Sequence, residues 1–270
     1  MEWNYFEVKP SEALSDFIDC YWNEDYCDST PDQQEIHVVP DNTIELIITN
    51  KAFQRYSPAL KTAWTVKSHL SGLKTRSQQC IVTQSPLICV RFKPKAFYLF
   101  SEVAPKLSID NCLLPDQCLG EDFLQVEEGL FNASSYSERH IILNEFFEEL
   151  YTRNAYRRDP LFEQLMNTIE SHKGLISIEQ LSNQFKTSPK TIRRRFIEHL
   201  GITPKRYCRL CRVIYSLKQV SGIQSKQLTQ LALNAEYFDQ SHFVKDVKSV
   251  INCTPSYFHR ANKGIQSPTF

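Results

Sequence analysis

Two stretches of the chain close in the same way. Gly201-Ile-Thr-Pro204 ends one and Asn252-Cys-Thr-Pro255 ends the other, and each follows a pair of short amphipathic helical patterns. That repeat constrains the fold most, because a short helix with one apolar face must bury it against its neighbours. In the first stretch, Ser177 to Leu200, Ser177 stands three positions before Gln180, the spacing of a capping box. Ile178, Leu181 and Phe185 share one face of the first helix, and Lys186-Thr187 is the turn. Ser188 caps a second helix that begins at Pro189. Ile192, Phe196 and Leu200 then point inward, whereas Lys190, Arg193 and Arg194 point outward. Gly201 stops the helix, as a residue that tolerates positive φ can.

The second stretch runs from Leu228 to Arg260. Leu228, Leu231 and Ala232 form the inner face of its first helix. Tyr237 and Phe238 lie at the turn, and Asp239 caps the second helix. Phe243 and Val247 face inward; Gln240, Ser241, His242 and Lys245 face outward. Asn252 takes the place of the terminating glycine, for which Asn is the next best residue. Between the stretches, Thr203–Val220 reads as one helix with Tyr207, Leu210, Cys211, Ile214 and Leu217 on its apolar face, a connector that holds the units apart.

A pair of helices with a tight turn and a basic outer face on the second is a helix-turn-helix arrangement. Its chemistry suits duplex DNA, since an Arg side chain can donate two parallel hydrogen bonds to a guanine in the major groove. Two such helices about 34 Å apart would reach successive major-groove faces. Charge agrees with this. The formal net charge is zero, but residues 1–159 hold 15 Lys/Arg against 24 Asp/Glu, while residues 160–270 hold 16 against 7. A basic half behind an acidic half is the footprint of a module that meets a polyanion.

The first half reads as β-structure. HVVP, TIELIIT, QQCIVTQ and PLICVRF are short runs rich in Ile, Val and Thr, punctuated by turn residues. Pro10 to Trp22 reads as a short helix with Leu14, Phe17, Ile18 and Tyr21 on one face, and another helix is expected at Ala96–Phe100. From Ser137 the pattern turns helical, with Ile142, Leu143, Phe146, Phe147 and Leu150 in a stripe. The stripe should pack on the β-structure or on a second copy of the chain. Asp159-Pro160 starts a new helix. The boundary is therefore placed near Arg157. The expected fold is α+β, with a β-rich effector-binding and dimerisation domain over 1–157. An all-α domain of about seven helices follows over 158–270, holding units at 177–200 and 228–250 and a connector at 204–220.

Nine cysteines, an odd number, together with the lack of a signal pattern or a long apolar run, point to free thiols in a reducing cytoplasm. Cys208 and Cys211 are spaced as Cys-x-x-Cys but sit within the connector, where Cys211 reads as a small core residue. His37, Asp41 and Glu45 do not have the spacing of a cupin metal motif. Trp22, Trp64, Phe92 and Phe97 suit either a pocket or a core.

Residues 160–260 closely resemble the DNA-binding domain of the AraC/XylS regulators. The resemblance is carried by SIEQL, SPKTIRRRF and GITPKRY, by Arg212-Val213, and by LTQLALNAEYFDQSHF with TPSYF. It implies a domain that contacts DNA as one chain. Its base-reading candidates are Lys190, Arg193 and Arg194 in the first unit, and Gln240, Ser241, His242 and Lys245 in the second; Arg195 is implied to meet a phosphate or an acidic neighbour. Three positions depart from the family pattern: Glu236 and Asn252, where Gly is usual, and Val247, where Phe is usual. VVPDNTIELII, SGLKTRS and VRFKPKAFYLF resemble an N-terminal domain found on some members. The expected partners are double-stranded DNA, a small-molecule effector at the N-terminal domain, RNA polymerase and a second copy of the chain. No cofactor, metal, membrane or catalytic residue is expected. The rival reading is a DNA-tethered enzyme or redox sensor, but no G-x-S-x-G, H-E-x-x-H or phosphate-cradling glycine loop is present. An interaction protein that had lost its DNA contacts would instead pair its outward basic residues internally.

Overall fold

A computed structural model describes residues 4–25, 33–57, 62–83, 86–220, 235, 237, 239–255 and 257–258. The N-terminal half is β-rich and the C-terminal half helical, as its patterning implies. The strands are β1 (Asn4–Val8), β2 (Ile18–Asp25), β3 (Gln33–Val38), β4 (Ile44–Ile48), β5 (Phe53–Ser57), β6 (Thr62–Val66), β7 (His69–Ser71), β8 (Gln78–Thr83), β9 (Leu87–Phe92) and β10 (Cys112–Leu113). They form a six-stranded sheet, β1-β2-β9-β4-β7-β10, and a four-stranded sheet, β3-β8-β5-β6, with every pair antiparallel.

The six-stranded sheet is buried on both faces. One face carries Ile44, Leu46, Ile88, Val90 and Phe92 into the main core. The other carries Cys20, Trp22, Ile47, Leu87 and Cys89 into a smaller cluster with Cys80 of the four-stranded sheet. Two-sided burial explains why β4 and β9 read as continuous apolar runs instead of alternating ones.

It also explains a correction. Pro10–Trp22 is not a helix. Only a single 3-10 turn, Glu12–Leu14, forms there, and Ile18 onward is β2. Leu14, Phe17, Ile18 and Tyr21 are all buried, but Cys20 and Trp22 are buried too, on the opposite face. Burial on both faces, with a register shift between Ile18 and Cys20, imitates a helical stripe. Ala96–Phe100 holds a 3-10 turn, Phe97–Leu99. Strands β1, β2, β5, β6, β7 and β10 escape the sequence reading.

Helices begin before Ser137: α1 spans Pro115–Leu119, α2 Phe123–Asn132 and α3 Tyr136–Asn154. The stripe on α3 packs on the sheet, with Phe147 meeting Phe92 and Phe100 at ring distances of 5.3 and 5.6 Å. Phe146 packs on Phe123 of α2. A short turn, Ala155–Arg157, separates α3 from α4 (Pro160–Ser171). Then follow α5 (Ile178–Gln184), α6 (Pro189–His199), α7 (Pro204–Val220) and α8 (Gln240–Ile251). The main core continues from the sheet into these helices, through Tyr98 and Phe162, whose rings stand 5.7 Å apart edge to face. No helix of the described residues is long and apolar enough to cross a membrane.

Candidate nucleic-acid interface

The first unit folds as its caps dictate. Ser177 Oγ accepts from the Gln180 amide at 3.1 Å, and Gln180 Oε1 accepts from the Ser177 amide at 2.8 Å, which satisfies two donors at the start of α5. The turn bends where Lys186 takes φ 46°. Ser188 Oγ then accepts from the Thr191 amide at 3.1 Å and Pro189 opens α6. Leu181, Ile192, Phe196 and Leu200 are buried, with Ile178 and Phe185 half-buried beside them. Gly201 ends α6 with φ 81°. These contacts fix α6 with Lys190, Arg193 and Arg194 exposed, and none of the three makes an ion pair among the described residues.

Arg195 behaves differently. It forms an ion pair with Asp159, the acidic alternative named for it in the sequence. Asp159 serves three partners. Its Oδ1 accepts from the Phe162 amide at 3.1 Å, capping α4, while its Oδ2 takes both Arg195 and His199 Nε2, the latter at 3.0 Å. The Asp159 amide in turn donates to the Tyr98 hydroxyl at 2.8 Å. Burial, ahead of all other causes, holds the His199 imidazole below its ordinary pKa. Sequence reasoning missed this junction of α4, α6 and the β-rich half; its only local sign was the Asp-Pro cap.

The second unit is described in part. Leu228, Leu231, Ala232, Glu236 and Phe238 lie outside the described residues. Asp239 caps α8, its Oδ1 accepting from the His242 amide at 2.7 Å, and Asn252 ends it in the left-handed region at φ 57°. Tyr237, Phe243 and Val247 are buried, whereas Gln240, Ser241, His242 and Lys245 are exposed along the first turns. The connector α7 anchors α8: Arg209 donates from Nε and Nη2 to Asp246 Oδ1 at 3.0 and 2.7 Å, and Arg212 stands over the Tyr237 ring at 5.5 Å. The connector's predicted face, Tyr207 through Leu217, is buried.

The remaining sequence candidates resolve as follows. Burial pushes the Cys208 thiol up to about 11 and the Cys211 thiol well above its ordinary range. Asp41 bonds Thr43, and Glu45 pairs with Arg91 at 3.1 Å. Among the described residues no group of three His, Cys, Asp or Glu is placed to hold a metal. Phe92 and Phe97 are core, Trp22 belongs to the inter-sheet cluster, and the side chain of Trp64 lies outside the described residues.

Fold and site together define a helix-turn-helix protein. Residues 181–261 match a family model described as "Helix-turn-helix domain", and residues 6–113 match one described as "Domain of unknown function". The HTH-type transcriptional activators RhaS of Salmonella paratyphi B and Salmonella newport are each 28% identical to the chain over 112 residues, 41% of its length. The matched part spans 40% of each relative. The helix-turn-helix match lies in the helical half, where the resemblance to the AraC/XylS regulators also lies. Two solved structures are similar over different extents. Vibrio cholerae ToxT is 12% identical, covers 98% of both chains and has a TM-score of 0.46. The C-terminal domain of AraT from Geobacillus stearothermophilus is 16% identical, covers 42% of this chain and 92% of its own, and has a TM-score of 0.35.

Proposed function

We propose that the protein is a sequence-specific DNA-binding transcription regulator of the cytoplasm. In this reading α6 and α8 enter successive major grooves, and residues 1–157 form the sensing domain of a DNA-binding domain at 158–270. The observation that carries the reading is the exposure of Lys190, Arg193 and Arg194 without ion pairs among the described residues, on a helix whose opposite face is held by Ile192 and Phe196. A helix kept only for protein packing has no need of three unneutralised cations on its outer face. Lys190, Arg193, Arg194, Gln240, Ser241, His242 and Lys245 are the proposed base readers. A small-molecule effector, RNA polymerase and a second copy of the chain are the proposed further partners. The redox-sensor alternative draws no support from the buried cysteines among the described residues. Burial raises Cys20 and Cys118 to about 12, far from the thiolate form such chemistry uses.

The test begins with selection of a preferred duplex from random DNA by the full chain. Binding should weaken steeply with salt, with a log–log slope near −5 if about six phosphates are neutralised. Arg193→Ala or Arg194→Ala should then cost about 1–3 kcal/mol on the preferred duplex, and much less on random DNA. The melting temperature should barely move, because Ala is an excellent residue for an exposed helix. Equal losses on both DNAs for both variants would make α6 a phosphate clamp and shift base reading to Gln240, His242 and Lys245. Salt-independent binding would rule out the whole reading.

A further inference from the structure

The β-rich half touches the far ends of both helices proposed to read DNA. At α6 the meeting point is Gly201, where a Cβ would stand 2.6 Å from the Lys106 backbone nitrogen and 2.8 Å from the Pro105 carbonyl carbon. The turn Pro105–Leu107 therefore lies against the C-terminal end of α6. At α8 the meeting point is the segment between β7 and β8. The Ser77 amide donates to the Val250 carbonyl at 2.7 Å, and Asn252 Nδ2 donates to Ser77 Oγ at 3.0 Å. Between these two points, Arg206 near the start of α7 donates to Thr75 Oγ1.

Each meeting point carries a cation to the surface. Lys106 is exposed in the turn at the end of α6, and Arg76 is exposed next to Ser77 at the end of α8. Neither makes an ion pair among the described residues. The carboxylates around them do not neutralise them. Asp110 accepts from the Thr75 and Arg76 amides at 2.6 and 3.2 Å and pairs with Arg206 at 3.7 Å. Glu102 is turned toward Gly120 at the end of α1. Asp246 of α8 is bound by Arg209. Glu198 is exposed in the last turn of α6, a single carboxylate against Lys190, Arg193, Arg194 and Lys106. Lys248, exposed in the last turn of α8, adds to Arg76.

This placing runs against the charge of the half that supplies it, which holds 15 Lys/Arg and 24 Asp/Glu over residues 1–159. An acidic body brought up to a duplex is repelled by the phosphates, and cations at its two points of closest approach reverse that repulsion locally. Length points the same way. From Lys190 to His199 the helix rises about 14 Å, slightly more than the major groove's width of about 12 Å. A reading helix meets bases with its N-terminal residues, so its far end emerges at the edge of the groove, where the phosphates run. A side chain mounted against that end meets backbone, not bases.

We propose that the β-rich half is itself part of the DNA interface, with Lys106 and Arg76 each holding a phosphate of the duplex at the far ends of α6 and α8. This contact rests on the regulator reading above and extends it beyond the helix-turn-helix units. It carries no sequence information; it fixes the position of the chain on the duplex and adds affinity for any sequence.

The experiment titrates the full chain with the selected duplex and with a random one, each over a range of salt. Lys106→Ala and Arg76→Ala should each weaken binding several-fold on both duplexes alike and lower the log–log salt slope by about one unit. The double variant should lower it by about two. Melting temperatures should barely move, because both side chains are exposed. Lys51→Ala is the control for net charge. Lys51 is exposed beyond the end of β4 opposite to Asn42, which bonds Tyr207 of α7, and its loss should leave the slope unchanged. Ethylation of single phosphates on the selected duplex gives a second readout. One phosphate whose ethylation weakens wild type should become indifferent in Lys106→Ala, and a different one in Arg76→Ala. Wild-type slopes and ethylation patterns in both variants would overturn this contact and leave the reading helices standing. An equal fall in slope for Lys51→Ala would reduce the effect to net charge and overturn it as well. A full chain that binds neither duplex would overturn the regulator reading, and this contact with it.

Discussion

Asp159→Ala should destabilise the protein by about 2–4 kcal/mol, well beyond the loss of an ordinary cap. Removing an N-cap oxygen costs about 1 kcal/mol. The remainder comes from Arg195 and His199, which lose the one carboxylate oxygen they share. The Arg195 side chain is 27% exposed and that of His199 19%, so solvent recovers part of what they lose, and the combined penalty is set at about 1–3 kcal/mol. Asp159→Asn separates the contributions, because its side-chain oxygen can still cap α4 while the charge is gone. It should cost roughly half as much. Urea melts with an unchanged slope would give both values. A double-mutant cycle with Arg195→Ala should then return a coupling of about 0.5–3 kcal/mol. Independent, additive losses would mean that the ion pair contributes nothing to the junction. Freed from Asp159, Arg195 would join Arg193 and Arg194 on the basic face, so the Asp159 variants should also bind random DNA more tightly.

Gly201→Ala should cost about 2–5 kcal/mol, for two reasons that add. The backbone there has φ 81°, a conformation that burdens any residue with a Cβ. A Cβ at that position would also stand 2.6 Å from the backbone nitrogen of Lys106, in the turn Pro105–Leu107 of the β-rich half. Neither backbone can step aside without opening the contact between α6 and that turn. Gly120 provides the control. Its φ is 95°, but the nearest atom to a Cβ there is the Glu102 carboxylate at 3.9 Å. Gly120→Ala should therefore cost only the backbone share, about 1–3 kcal/mol. Comparable denaturant midpoints for the two variants would remove the steric argument. Because Gly201 joins α6, the proposed reading helix, to the N-terminal half, its replacement should also weaken DNA binding by the full chain.

The parts of this protein that could be read from the chain are those whose causes lie within one or two turns. Ser177 with Gln180, Ser188 with Thr191 and Asp239 with the His242 amide are contacts over three residues, and their residue types announce them. The 3.6-residue period then assigns Ile192 and Phe196 to the inside and Lys190, Arg193 and Arg194 to the outside, and the burial of each agrees. Asn252 in the left-handed region is likewise a local preference. The repeat, its polarity and the candidate interface follow from these alone.

The rest depended on partners far away in the chain. Strand β2 was hidden because burial on two faces erases the alternation by which a strand is recognised, and those faces exist only once β1, β9 and the helices have packed. Arg195 was set apart from Arg193 and Arg194, but which of phosphate or acidic neighbour it meets was open; Asp159, 36 positions earlier, decides it. Nothing in the residues beside Arg55 and Lys74 marks them as buried; the folded sheets bury them. The link from Ser77 to Val250 spans most of the chain. Capping and helical periodicity act through the local backbone and are written in neighbouring residues. Burial of a charge, or its pairing, depends on which distant segment arrives, and only the folded chain decides that.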